Sequence, residues 1–147
     1  SVIIIINSVN STISNLTITG GLETYGGGML LFKSNPILNN LTISKNTAVS
    51  SGGGILLQES NPTLTNITIS DNRANAHGGG IYLFSGSDAK ITDVIIKENI
   101  GGWGGGGMYI EGSDAELTNV HIHSNDDGGV KLQNADVSFN YVTISDR

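Results

Sequence analysis

The amino-acid sequence predicts an all-β protein, a parallel β-helix whose chain winds through about six stacked coils. A glycine-rich motif such as Gly52-Gly53-Gly54-Ile55 returns about every 26 residues, and a period of this size is typical of a solenoid whose units bury their apolar faces against one another. Within each repeat the apolar residues are spaced by two, which is the periodicity of a strand, and no stretch has the spacing of a helix. Together the two periods indicate short strands stacked coil upon coil.

Each repeat contains three short predicted strands, typified by Ile81-Tyr82-Leu83, Lys90-Ile91-Thr92 and Ile67-Thr68-Ile69. Five positions per repeat are apolar in all six repeats, and we expect these side chains to fill the core. The row that opens the first strand consists of Ile4, Met29, Ile55, Ile81, Met108 and Val130. The row two residues later consists of Ile6, Leu31, Leu57, Leu83, Ile110 and Leu132. The prediction is one domain over residues 1–147, with coils at approximately 1–25, 26–51, 52–77, 78–104, 105–127 and 128–147.

Polar residues recur with the same period and predict stacked turns. Asn and Asp tolerate a left-handed backbone, and stacked Asn side chains can bond from coil to coil. One predicted ladder, before the second strand, consists of Asn10, Asn35, Asn61, Asp88, Asp114 and Asp136. A second, after the third strand, consists of Asn46, Asn72, Asn99 and Asn125. A third, between the second and third strands, consists of Asn15, Asn40, Asn66, Asp93 and Asn119.

The composition excludes several classes of function. The net charge of −6 argues against nucleic acid, which is bound by basic surfaces. The chain has no cysteine, so neither a disulfide framework nor a thiolate metal site is expected. The apolar run from Val2 to Ile6 is too short to cross a bilayer, and no transmembrane segment is predicted.

The repeats resemble a known class. The glycine-rich motif and the spacing in Ile43-x-x-Asn46 and Ile69-x-x-Asn72 are similar to the right-handed parallel β-helix repeats of bacterial surface proteins. They resemble the polymorphic outer-membrane protein repeats of autotransporter passengers, with Gly in place of an Ala and Ile in place of a Phe. The resemblance implies a right-handed coil and an extracellular or cell-surface location, and it transfers no catalytic residues.

The side chains between the core positions of the first strand predict an exposed apolar and aromatic stripe. Such a stripe is typical of an interface, unless the glycine-rich loops fold over it. Trp103, in one of these loops, could stack on a sugar or a partner, or cap the loop wall. The candidate interface residues are Ile5, Leu30, Phe32, Leu56, Tyr82, Phe84, Tyr109 and Trp103.

Catalysis or metal binding is the weaker alternative. Two carboxylates across a cleft would be needed for glycoside hydrolysis, and the candidates are Asp71, Glu98, Asp126 and Asp127. A lyase would need a basic side chain, for which the candidates are Lys45, Arg73 and Lys97. No cofactor is predicted; calcium at Asp126 and Asp127 and a metal at His121 and His123 are weak alternatives.

The ends of the predicted stack expose open strand edges, because the first and last repeats both carry core residues. We therefore expect either a section of a longer solenoid or copies that stack head to tail, with Ile4 of one copy following Ile144 of another. The sequence thus favours a non-enzymatic extracellular structural or adhesive module, with a cell-surface protein, a glycan or another copy as partner. The alternative is a carbohydrate-binding or polysaccharide-degrading β-helix.

Overall fold

A computed structural model describes residues 1–146 as sixteen strands without a helix. The chain coils so that each strand pairs in parallel with the equivalent strand of the next coil. The strands are β1 (Ile3–Ile6), β2 (Thr12–Thr19), β3 (Leu22–Tyr25), β4 (Met29–Phe32), β5 (Ile37–Ser44), β6 (Thr47–Ser51), β7 (Ile55–Gln58), β8 (Thr63–Ser70), β9 (Arg73–Ala74), β10 (Ile81–Phe84), β11 (Lys90–Lys97), β12 (Ile100–Gly101), β13 (Met108–Glu111), β14 (Glu116–His123), β15 (Val130–Gln133) and β16 (Ser138–Ser145).

Three parallel sheets form the walls of the coil, which confirms the predicted all-β parallel solenoid of about six turns. Sheet A has six strands in the order β1-β4-β7-β10-β13-β15. Sheet B has six in the order β2-β5-β8-β11-β14-β16, and sheet C has four in the order β3-β6-β9-β12. Since the described residues contain no helix, they contain none long and apolar enough to cross a membrane.

The division of each coil into strands differs from the prediction. The second and third predicted strands form one eight-residue strand of sheet B, bent where a residue such as Asn40 (φ 54°) or Asn66 (φ 54°) adopts a left-handed backbone. The third sheet comes instead from the segment between the third predicted strand and the next glycine motif, where no strand was predicted; β6 is an example. This segment has no strong alternation because it packs small residues inward, among them the buried Ala48 and Ala74.

The core is a set of apolar rows that run along the inside of the coil. Met29, Ile55, Ile81 and Met108 are fully buried and in register on neighbouring strands of sheet A. In the first coil the predicted register was wrong by one residue. Ile3 pairs with Met29 and Ile5 with Leu31; hence Ile5 faces the core at 8% exposure, whereas Ile4 and Ile6 point outward at 57% and 55%.

The glycine motif is explained by the close approach of successive coils. A Cβ added at Gly53 would lie 2.4 Å from the carbonyl oxygen of Gly79 and 2.5 Å from that of Arg73. A Cβ added at Gly54 would lie 2.6 Å from the oxygen of Gly80. Because real Cβ atoms do not approach carbonyl oxygens so closely, these positions admit only glycine.

The column after sheet B is a buried asparagine ladder. The Asn46 amide nitrogen donates to Oδ1 of Asn72 at 3.1 Å, and the same contact repeats from Asn72 to Asn99 and from Asn99 to Asn125, each at 3.0 Å. The backbone N–H of each donor residue bonds the same oxygen. Asn125 closes the ladder by donating to the carbonyl of Ile96. Buried polar groups are thus satisfied along the whole row.

The two exposed columns form weaker ladders. In the column before sheet B the backbone N–H of each residue donates to the side-chain oxygen of its predecessor, as in the 2.7 Å bond from Asp88 to Asn61. The same pattern joins Asn35 to Asn61, Asp88 to Asp114, and Asp114 to Asp136. The side chain of Asn10 does not accept such a bond, because the N–H of Asn35 in the next coil donates to the carbonyl of Ser8 instead. In the bend of sheet B, Asn40 donates to Asn15 at 2.7 Å and Asn119 to Asp93 at 2.6 Å.

A fourth ladder was not predicted from the sequence. Buried serines follow sheet A, and each side-chain oxygen accepts the backbone N–H of the serine one coil earlier, as from Ser34 to Ser60 at 3.0 Å and from Ser60 to Ser87 at 3.1 Å. Their hydroxyls donate to the carbonyl of the strand just ended, such as Gln58. The 26-residue recurrence of Ser8, Ser34 and Ser60 was the available signal.

Candidate functional site

The candidate site is an aromatic cluster on the outer face of sheet A, formed by His77, Tyr82, Phe84, Trp103 and Tyr109. Tyr82 and Phe84 belong to β10 and Tyr109 to β13, whereas His77 and Trp103 come from the segments that precede these strands. Alternation along a strand sends every second side chain outward, so the same periodicity that builds the core also builds this surface.

The rings of the aromatic cluster pack in the tilted, edge-to-face and stacked arrangements that aromatic groups prefer. The His77 ring lies at the centre, with centroids 4.4 Å from Tyr109, 5.5 Å from Tyr82 and 5.3 Å from Trp103. Tyr82 stacks on Phe84 at 4.9 Å and meets Tyr109 edge-on at 5.5 Å. His77 therefore joins the Trp103 segment to two strands of sheet A.

The backbone of Trp103 is fixed at both of its polar groups. Its N–H donates to the carbonyl of Ala76 at 2.9 Å. Its carbonyl accepts a bond from the Lys131 ammonium at 3.1 Å, and the same ammonium lies 5.2 Å from the centre of the Tyr109 ring. The Trp103 side chain is nevertheless 67% exposed, so an anchored segment presents a large aromatic face to solvent.

The two tyrosine hydroxyls are tied to the next coil. The Tyr82 hydroxyl donates to the Glu111 carboxylate at 2.7 Å, and the Tyr109 hydroxyl bonds Oε1 of Gln133 at 2.6 Å. Burial raises the pKa of the Tyr82 phenol well above its usual range, and the bond to Glu111 adds to the rise. Burial likewise raises the pKa of Tyr109. Both phenols are neutral donors at physiological pH.

His77 is the electrostatically unusual member of the aromatic cluster. Its Nδ1 atom is buried and has no hydrogen-bond partner among the described residues. Desolvation lowers the pKa of its imidazole; the Glu111 carboxylate opposes this and the Lys131 ammonium adds to it. The ring is therefore neutral at neutral pH, where its role is packing.

The predicted interface residues divide into four groups. Ile5 lies in the core, so its assignment to the outer stripe was wrong. Leu56, Tyr82 and Tyr109 point outward but are buried, because the glycine-rich segments lie over them; a Cβ added at Gly52 would lie 2.7 Å from Cβ of Leu56. Leu30, Phe32 and Phe84 are half-buried. Trp103 is exposed.

Three further residues belong to this surface. His77, Glu111 and Lys131 contact the predicted aromatic residues. A signal existed for His77: it stands directly before Gly78 as Tyr25 stands before Gly26, so it belongs to the column that borders sheet A.

The acidic candidates lie in turns outside the aromatic cluster, and the structure brings two of them, Glu98 and Asp126, to one groove. Asp71 and Glu98 occupy left-handed positions (φ 55° and 56°) in one column after sheet B. Asp127 is left-handed at φ 62°. A shallow groove of about 200 Å³ is lined by Glu98, Asn99, Ile100, Ser124 and Asp126.

The described residues hold no group of three or more His, Cys, Asp or Glu side chains arranged for a metal ion. His121 pairs in register with Ile95 on the outer face of sheet B, and Nδ1 of His123 lies 3.2 Å from the Ser124 hydroxyl. These two histidines thus lie on a different sheet from the aromatic cluster.

Comparison with protein families gives one result. A model described as a right-handed β-helix region matches residues 1–102 and again residues 53–147. The search of curated proteins found no significant match. The search of solved structures found none either.

Proposed function

The chain belongs to the right-handed β-helix family, and from this premise we propose that it is a non-enzymatic structural and adhesive module of the cell surface or extracellular space. In this proposal the solenoid is a rigid rod, and the aromatic cluster on sheet A is its contact surface. The location follows the resemblance of the repeats to those of bacterial surface proteins.

One observation carries the proposal: Trp103 is two-thirds exposed on a segment that is anchored from three sides. Exposed aromatic side chains on well-packed surroundings are typical of binding hot spots. Because His77, Ala76 and Lys131 already hold the segment, a partner that covers Trp103 loses little conformational entropy on binding.

The structural explanation of the carboxylates also supports a non-enzymatic role. Asp71 and Glu98 share a left-handed column with Lys45 and Ser124, so a backbone requirement accounts for the position without a chemical one. Glu111 is engaged by the Tyr82 hydroxyl. The backbone conformation of the turns therefore accounts for the positions of these carboxylates without a substrate.

Carbohydrate binding is the second candidate function, and a specific observation favours it. The exposed Trp103 ring packs on His77, and the Lys131 ammonium bonds the Trp103 carbonyl. In the same cluster Glu111 and Gln133 bond the hydroxyls of Tyr82 and Tyr109. An aromatic face with polar groups at its margin is the arrangement on which the apolar face of a sugar can stack while its hydroxyls form hydrogen bonds.

End-to-end contact is the third part of the proposal. At the last coil the core residues Leu132, Phe139 and Ile144 are exposed, and β15 and β16 are edge strands. A further coil, from a second copy or from an adjoining segment, would bury them. Sedimentation velocity tests the second copy: we expect concentration-dependent association that Ile144→Lys abolishes, and a monomer at every concentration would contradict it.

Binding to immobilised probes tests the contact surface. We expect the chain to bind either a glycan array or immobilised extracellular-matrix proteins, with at least about tenfold loss in Trp103→Ala. Val49→Ala is the matched control, because Val49 is a 55% exposed apolar residue of sheet C. Binding to the glycan array would support carbohydrate binding as the function, whereas binding to matrix proteins would support protein adhesion.

Two results would contradict the proposal. Equal binding by the Trp103→Ala and parent proteins would remove the aromatic cluster as the contact surface. Release of reducing sugar or unsaturated product from polysaccharides, lost in Asp126→Asn or Glu98→Gln, would replace a binding module with an enzyme.

A further inference from the structure

We propose that His77 is an acid-sensitive latch, which holds the 101–105 segment and its Trp103 side chain against sheet A and releases them when the imidazole is protonated. This inference goes beyond the proposed function. It concerns an internal transition of the chain, and it holds whether or not the surface has a partner.

The geometry makes His77 the connection between the segment and the sheet. Its ring packs on Trp103 on one side and on Tyr109 and Tyr82 on the other. The adjoining residue Ala76 accepts the Trp103 N–H. Displacement of the His77 ring therefore removes the aromatic anchor of Trp103, and displacement that also moves the adjoining backbone removes the bond to Ala76.

The surroundings of His77 favour the neutral ring over the charged ring. The Nδ1 atom is buried without a partner, so a proton added there would be a buried donor with nothing to accept it. The positive charge would also need to be solvated, and this requires the ring to move outward or water to enter.

The charged groups around the ring reinforce this preference. Lys131, from β15, carries a like charge that also anchors Trp103. Glu111, from β13, carries the opposite charge, yet its carboxylate already accepts the Tyr82 hydroxyl at 2.7 Å. The remaining neighbours from β10 and β13 are the neutral phenols of Tyr82 and Tyr109, and Trp103 faces the ring from its own segment.

The direction of the transition follows from the pKa. Desolvation lowers the pKa of folded His77 below its ordinary value of 6.5. The latched state binds the proton less readily than the open state, so acid favours opening. The stability of the latched state therefore begins to decline as the pH falls below 6.5, the ordinary value for a solvated imidazole, and it declines until the lowered pKa of the latched ring is passed.

Amide hydrogen exchange at Trp103 tests the latch, because its N–H donates to Ala76 only while the segment is held. The measurement is the protection factor, corrected for intrinsic exchange, from neutral pH down to about 4.5. We expect it to fall by up to about tenfold per pH unit once His77 titrates, as one coupled proton dictates. A protection factor independent of pH would overturn the proposal.

Histidine variants provide matched controls, since the chain has three histidines. His77→Phe keeps an aromatic ring that cannot be protonated, and we expect it to abolish the pH dependence. His121→Gln with His123→Gln, on sheet B, should leave it unchanged. A fall that persists in His77→Phe would overturn the proposal.

A second variant keeps the proposal testable if His77→Phe fails to fold. Lys131→Met removes the like charge that lowers the pKa of His77. The midpoint of the His77 ring titration, followed by NMR, should therefore move to higher pH. A midpoint that stays or moves to lower pH would contradict the electrostatic account.

Discussion

The side-chain oxygen of Asn99 accepts two hydrogen bonds from Asn72, one from the backbone N–H at 2.9 Å and one from the side-chain amide at 3.0 Å. The Asn99 amide in turn donates to the carbonyl of Ile69 at 3.0 Å. Because both asparagines are buried, water cannot replace these bonds. The ladder therefore fixes the spacing of successive coils and satisfies the turn that leaves sheet B.

The first prediction concerns this ladder. Asn99→Ala leaves the Asn72 N–H without its partner and removes the side-chain bond to the Ile69 carbonyl, and we expect it to lower the free energy of unfolding by about 3 kcal/mol. Asn61→Ala is the control, because Asn61 accepts a comparable backbone bond from Asp88 in an exposed column, and it should cost less than about 1 kcal/mol. Urea denaturation measures both, and equal losses would contradict the ladder's structural role.

The second prediction concerns the glycine motif. Gly53→Ala places a Cβ 2.4 Å from a backbone oxygen that no side-chain rotation can move, so we expect a loss of at least about 3 kcal/mol or failure to fold. Gly112→Ala is the comparison, because its φ is +56° and nothing lies within 4 Å of an added Cβ. We expect Gly112→Ala to lower the free energy of unfolding by only about 1 kcal/mol, which is the strain of alanine in a left-handed backbone. Thermal unfolding followed by circular dichroism distinguishes the two.

The third prediction concerns the register of the first coil. Ile5 is 8% exposed and Ile4 is 57% exposed. We expect Ile5→Ala to cost about 2–4 kcal/mol and Ile4→Ala less than about 1 kcal/mol. A larger loss for Ile4→Ala in denaturant unfolding would restore the register that the sequence suggested.

The fourth prediction is a stabilising change. Tyr141 has φ 54° in the column that Asn40, Asn66 and Asn119 occupy with the same backbone, and its side chain is 82% exposed. Tyr141→Asn should stabilise the chain by about 1 kcal/mol, because Asn adopts the left-handed region more readily. That gain corresponds to a rise in Tm of about 2–4 °C, and calorimetry that shows a fall would contradict it.

The fold could be predicted from the sequence wherever alternation was unambiguous. Rows such as Ile55, Ile81 and Met108 follow a glycine motif that sets the register. The first repeat has no such motif, and Val2 to Ile6 is apolar throughout. An uninterrupted apolar run does not indicate which residues face inward, since a shift of one residue reverses every side chain.

Sheet C and the centre of the aromatic cluster could not be predicted from the sequence for a different reason. The strands of sheet C bury Ala48 and Ala74, and small residues produce little hydrophobic periodicity. His77 meets Trp103 because the chain completes one coil between them. Whether the glycine-rich segments fold over Leu56 and Tyr82 or leave them bare depends on backbone packing, which residue spacing does not encode.

Cysteine cross-linking tests the central claim, the in-register stacking of the coils, most directly in a chain without native cysteine. Thr42 and Thr68 are paired on neighbouring strands of sheet B, and Ile95 follows Thr68 one coil further on. Thr42→Cys with Thr68→Cys places the two Cα atoms about 4.8 Å apart, within reach of a disulfide. Thr42→Cys with Ile95→Cys places them about 9.6 Å apart, beyond that reach. The account predicts rapid intramolecular oxidation of the first pair alone, whereas equal oxidation of both pairs, or of the second alone, would contradict it.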